Sequence, residues 1–249
     1  MLFLFAFALH QSGVFFFNAD PSLGWFLGLM LFLIAFATFL AIRWEGSSLA
    51  DYGFLVPRSN RLLTISVFFG VVFAFTVLFL PGALSGFEAL PGTPIDWDFL
   101  LKIGSILLAS VATEMAFRGY VQTEIQDMHG FNVAFVVVSI MFTLYMLPVT
   151  QYFAGDVPSL LGSVFLLFAE SVFLCFFFKE TKTILCPTLF VATVTFLRTF
   201  TPLEAAGGDF TIPLAVVTYL VLIPVMQSFV DEVRQHDLRL AEVPILEPE

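Results

Sequence analysis

Charge is scarce in this chain. Of 249 residues only 12% are Asp, Glu, Lys or Arg, where a soluble domain carries about 25%. The ten basic residues are scattered, which argues against the clustered positive surface that a nucleic-acid partner requires. Cysteine is nearly absent. Cys175 and Cys186 both lie in apolar segments, so neither a disulfide framework nor a metal-ligand spacing is present, and both read as buried thiols. His10, His129 and His236 are far apart, and no serine has a histidine at pairing distance within a span. Zinc patterns, Gly-rich phosphate loops, internal repeats and low-complexity tracts are missing too. The expected cofactor and metal content is therefore none. No polar stretch is long enough to enclose a soluble core, so residues 1–249 read as one transmembrane domain.

What is present is apolar surface. Hydrophobic residues make up 59% of the chain and include 34 phenylalanines, which suit lipid-facing and interhelical packing. They fall in runs near the roughly 20 residues that a helix needs to cross a bilayer. The fold class is thus all-α, a polytopic helical bundle of about eight spans: 1–17, 23–42, 62–82, 99–121, 131–148, 159–178, 183–200 and 211–230. The first run lacks the basic start and small-residue cleavage site of a signal peptide and is kept as a span. Arg43, Arg58, Arg61, Lys179, Lys182, Arg234 and Arg239 fall on the side shared by both termini, against Lys102 and Arg198 on the other. That bias puts both termini in the cytoplasm of a plasma or inner membrane. The stretch 44–54 reads as a short interfacial turn or helix, and Asp231–Glu249 as a polar, partly disordered tail. The net charge of −10, concentrated in loops and tail, reads as solvated surface.

Two carboxylates break the apolar pattern. Glu114 and Arg118 stand four residues apart inside the fourth span. A charge in lipid costs about 2.5–3.5 kcal/mol on insertion scales, so such residues are functional candidates. At i and i+4, with Glu first, they share a helix face and can neutralise each other. A reaction centre and a structural ion pair both fit. Glu170 is the second costly carboxylate, in the sixth span. Glu114 and Met146 are equally far from the turn at Gly130, and Glu170 and Val191 are about equally far from the turn near Glu180. These depths place Glu114, Arg118 and Glu170 in one polar cluster, or leave Glu170 facing another helix. Ser110, Ser139, Ser163, Ser171 and Thr193 read as close-packing contacts between helices.

The stretch Thr113-Glu-Met-Ala-Phe-Arg-Gly119 resembles the first signature of the CPBP family (CAAX prenyl endopeptidases and bacteriocin-processing enzymes), Glu-Glu-x-x-x-Arg. Glu114, Phe117, Arg118 and Gly119 match in register. Ser48–Phe54 is similar to an element preceding the family domain, and Lys179–Leu189 to the turn before its last motif helix. The likeness covers about residues 47–200 and implies an intramembrane peptidase ancestry. Four implied catalytic positions differ. Thr113 replaces the first glutamate. Phe142 is kept in the second motif, but Met146 replaces its histidine. Val191 and Thr195 replace the two polar residues of the third.

Water activation needs a base of suitable pKa and donors for the oxyanion. Thr113, Met146 and Val191 supply neither. The expected function is therefore a catalytically inactive CPBP-like membrane protein that binds a protein, hydrophobic peptide or lipid partner. The alternatives are an active endopeptidase with Glu114 as general base, and a transporter or structural subunit of a larger membrane complex.

Overall fold

A computed structural model describes residue 8 and residues 24–54, 60–80, 87–89, 97–153, 157–200, 203–205 and 211–241. The expected first span, with His10, lies outside the described residues. The other seven spans each coincide with a helix. The uninterrupted apolar runs leave the backbone no partner but itself, and a helix satisfies every N–H and C=O internally. In chain order these are α1 (Gly24–Trp44), α2 (Asn60–Ala74, continued by a π-turn Phe75–Phe79), and α3 (Trp97–Glu114). A longer π-helical segment, Met115–Gln122, carries α3 into α4 (Thr123–His129). Then come α5 (Phe131–Phe153), α6 (Val157–Thr181), α7 (Leu185–Phe200) and α8 (Thr211–Ala241).

By length and composition, three of these can cross a membrane: Asn60–Val77, Leu160–Thr181 and Ile212–His236. Leu29–Trp44, Phe131–Met146 and Leu185–Thr199 are shorter apolar stretches. The chain is a helical protein embedded in a lipid bilayer. The one non-helical pairing among the described residues is a small antiparallel ribbon, Phe87–Ala89 against Leu203–Ala205, which the periodicity did not anticipate.

The turns follow from local chemistry. Gly130 (φ +80) ends α4, its N–H reaching the Gln126 carbonyl at 2.8 Å. Lys182 (φ 56) closes α6 in the left-handed conformation that terminates helices, its N–H bonded to the Phe178 carbonyl at 2.8 Å. Pro187 falls in the first turn of α7, where its missing N–H removes no helical bond. The last helix runs on to Ala241, through much of the stretch expected to be a tail. Arg234 holds it there, pairing with Asp231 at 3.1 Å and donating to the Glu180 carbonyl at 3.0 Å.

Two apolar clusters fill the bundle. One joins α2, α6, α7 and α8 through Phe69, Phe73, Phe173, Phe190 and Tyr219. At its edge Gly70 lets α2 and α7 approach so closely that a Cβ would lie 2.8 Å from Thr193 Cβ. The other joins α1, the π-segment, α5 and α6 through Ile34, Phe117, Phe142, Tyr145 and Cys175. Across one end of the bundle, residues 45–54 form a strap of turns. Its Gly53 (φ +79) accepts from the Ile184 N–H at 2.9 Å and has no room for a side chain, since a Cβ would lie 2.5 Å from the Phe178 ring. Tyr52 is buried, stacks on Tyr120 at 5.6 Å, and its hydroxyl lies between the carboxylates of Glu45 and Glu124.

Candidate functional site

Glu114 ends α3 and Arg118 lies one turn on, in the π-segment. On a regular α-helix residues four apart drift by about 40° around the axis. The wider i→i+5 winding of a π-segment offsets that drift. As a result Glu114, Arg118 and Gln122 all face inward, each about 1% exposed or less. Such π-segments occur often at functional sites. Gly119, on this segment, lets the strap close down, since a Cβ there would lie 3.2 Å from the Tyr52 carbonyl oxygen.

Arg118 is engaged on several sides. Its Nη1 donates to Glu114 Oε1 at 3.2 Å and its Nη2 to Ser171 Oγ on α6 at 3.0 Å. The guanidinium carbon sits 4.5 Å above the Phe142 ring of α5. One turn further, Gln122 Nε2 donates to the Cys175 backbone carbonyl at 3.0 Å. Residues 118 and 122 thus meet residues 171 and 175, a two-rung polar seam between the π-segment and α6. The Ser139 hydroxyl is buried nearby without a hydrogen-bond partner. Glu114 Oε2 and Arg118 Nε are buried without a hydrogen-bond partner.

Glu170 is half-buried on α6. It lies in the electrostatic field of both Arg118 and Arg198, and Glu114 in turn lies in the field of Glu170. It makes no ion-pair contact with Arg118. Arg198 is exposed near the end of α7. The charges therefore alternate from Arg198 through Glu170 and Arg118 to Glu114, two of each sign.

Of the replaced motif positions, Thr113 is satisfied within its own helix and Met146 and Val191 are apolar. The Thr113 hydroxyl donates to the Ala109 carbonyl of its own helix at 2.7 Å. Phe142 is buried edge-on against Phe117 at 5.5 Å. Met146 packs on the cluster around Phe117, and Val191 on the other cluster, around Phe190. Thr195 is half-buried on α7. Among the described residues no group of three His, Cys, Asp or Glu side chains converges. Glu114 is a guanidinium-bound carboxylate, and Thr113, Met146 and Val191 stand at motif positions where acids or imidazoles would be needed, a set that does not fit a catalytic divalent cation.

Ser171, Gln122 and Arg198 carry roles that spacing alone did not assign. A signal existed for the first two, since residues 118 and 122 repeat the four-residue step of residues 171 and 175.

The fold and this charged centre define a class, polytopic helical membrane proteins with a buried carboxylate–guanidinium pair. Residues 95–197 match the family model described as type II CAAX prenyl endopeptidase Rce1-like, a match that supports CPBP family membership. The matched stretch runs from before α3 into α7 and includes Glu114, Arg118, Phe142, Met146, Glu170, Val191 and Thr195. A comparison with curated proteins finds no match.

Proposed function

We propose that this CAAX-protease-like membrane protein is a non-catalytic member of its family, which binds a membrane protein or hydrophobic peptide partner in the plasma or inner membrane with both termini cytoplasmic. One observation carries this reading: Arg118 is locked between Glu114, Ser171 and Phe142. A general base must be free to take a proton from water within hydrogen-bond reach. Glu114 has one oxygen committed to the guanidinium, and no histidine or second acid stands at Thr113, Met146 or Val191. Arg118 then acts as a tie that holds the π-segment to α5 and α6. Partner binding would use the scaffold that the seam keeps rigid.

A second reading, an endopeptidase with Glu114 as base, draws on the unpartnered Glu114 Oε2. Co-purification distinguishes the two. A binding subunit isolated from its own membrane in mild detergent carries a stoichiometric partner, and Glu114→Gln leaves that association in place at matched folded protein. Isolation without any partner, together with peptide cleavage that Glu114→Gln abolishes, would overturn the non-catalytic reading.

A further inference from the structure

The strap across the end of the bundle carries more polar contacts than its hydroxyl protons can fill. The Tyr52 hydroxyl lies 2.9 Å from Glu45 Oε2 and 2.5 Å from Glu124 Oε1, and the Tyr120 hydroxyl lies 2.5 Å from Glu45 Oε1. These are three oxygen–oxygen contacts. A phenol donates one proton and an ionised carboxylate donates none, so the two phenols supply two protons. Burial, and then the two carboxylates, push the Tyr52 phenol up, which keeps its own proton in place. The third contact is complete only when a carboxyl group carries a proton.

Glu124 is the better carrier. Glu45 is exposed and turns one oxygen to each phenol, so as a carboxylate it accepts from both. Glu124 is half-buried and, among the described residues, bonds to Tyr52 alone. The chain then runs from the Glu124 O–H to the Tyr52 oxygen and from the Tyr52 O–H to Glu45, with the Tyr120 O–H on the second Glu45 oxygen. These two glutamates are the charged groups acting on both phenols. On the neighbouring elements Arg43, Asp51, Asp127, His129 and Lys182 are exposed and act on neither phenol. Asp51 is held by the Ser48 hydroxyl, and Lys179 lies over the Phe131 ring. The strap also bears on the charged centre, since its Tyr52 carbonyl oxygen lies 3.2 Å from where a Cβ on Gly119, next to Arg118, would stand.

We propose that the strap is a proton-operated latch: closing it on the π-segment takes up one proton from solvent, carried by Glu124 against the Tyr52 hydroxyl, and opening returns it. The latch is independent of the partner reading above, whose failure would leave it standing. A state that binds one more proton gains up to about tenfold per pH unit as pH falls, so acidification closes the strap. The Ile184 amide reports closure, because it donates to the Gly53 carbonyl of the strap at 2.9 Å. Its protection from hydrogen exchange, taken relative to the intrinsic rate at each pH, is measured on the full chain in detergent micelles from about pH 8 to about pH 5. Protection should rise severalfold as pH falls. Glu124→Gln brings an amide N–H that can donate to the Tyr52 oxygen at any pH, so its protection should be high and flat. Tyr52→Phe removes two of the three contacts and should leave protection low and flat, with helical circular dichroism confirming that the bundle stays folded. Flat protection in the unaltered chain, or a Glu124→Gln variant that keeps the slope, would overturn the latch. Protection set by added calcium at constant pH would overturn it too, by placing a cation at the third contact instead of a proton.

Discussion

Removing the Arg118 guanidinium perturbs the centre most sharply. Arg118→Gln deletes the contact to Glu114 Oε1, the bond to Ser171 Oγ and the packing over Phe142. Breaking a buried ion pair by deleting one partner costs about 3–5 kcal/mol. A hydrogen bond from a charged donor contributes about 1.5–3 kcal/mol, and a desolvated cation–π contact about 2 kcal/mol. These overlap at one side chain and do not add. Helices unfolded within a membrane also find substitute partners. The expected net loss is therefore about 3 kcal/mol. Equilibrium unfolding in mixed detergent micelles, followed by helical circular dichroism, measures it for Glu114→Gln, Arg118→Gln and the double variant. The pair should couple by about 2 kcal/mol, with the double variant well short of the sum of the singles. Additivity within about 0.5 kcal/mol, the behaviour of independent sites, would refute the ion-pair account.

Four further outcomes follow. In the same assay Glu170→Gln should couple to Arg118→Gln by a smaller amount, because Glu170 acts on Arg118 through its field without contact; zero coupling would remove Glu170 from the centre. Gly53→Ala should destabilise by about 1–3 kcal/mol, since it combines a positive φ with a Cβ 2.5 Å from the Phe178 ring. Gly46→Ala, also at positive φ but in open space, should cost about 1 kcal/mol, and equal losses would contradict the clash. In the strap, the Ser48 hydroxyl and backbone N–H hold the Asp51 carboxyl below its ordinary value of 3.8. A pKa depressed by folding stabilises above the unfolded value and stops doing so as pH falls through the folded one. Protection of the Ser48 amide from hydrogen exchange, taken relative to its intrinsic rate at each pH, should therefore be present at pH 5 and lost as pH falls below about 3.8, whereas in Asp51→Asn it should be weak at both.

Much of the architecture was legible because lipid simplifies the code. Runs of apolar residues marked seven helices whose ends differ from the expected bounds mainly where polar residues take over. Gly130 was readable as a turn because only the chain between two such runs can bend there. Glu114 and Arg118 stood out because four residues on a helix put them on one face.

What escaped depends on partners remote in sequence. The π-segment Met115–Gln122 is fixed by Ser171 and the Cys175 carbonyl on α6, and a backbone carbonyl leaves no mark in side-chain patterns. Tyr52 reads as an interfacial aromatic until Glu124 and Tyr120 are brought against it. Residues 231–241 read as tail by composition, and Arg234 anchoring on Glu180 is what makes them helix.

Peptide hydrolysis by the purified chain tests the non-catalytic reading most directly. The protein and its Glu114→Gln variant, each at matched folded concentration, would be incubated with prenylated CAAX-type and hydrophobic leader peptides and the products followed by mass spectrometry. The account predicts cleavage no faster than the variant's background. Multiple turnovers by the unaltered chain, absent from the variant, would contradict it.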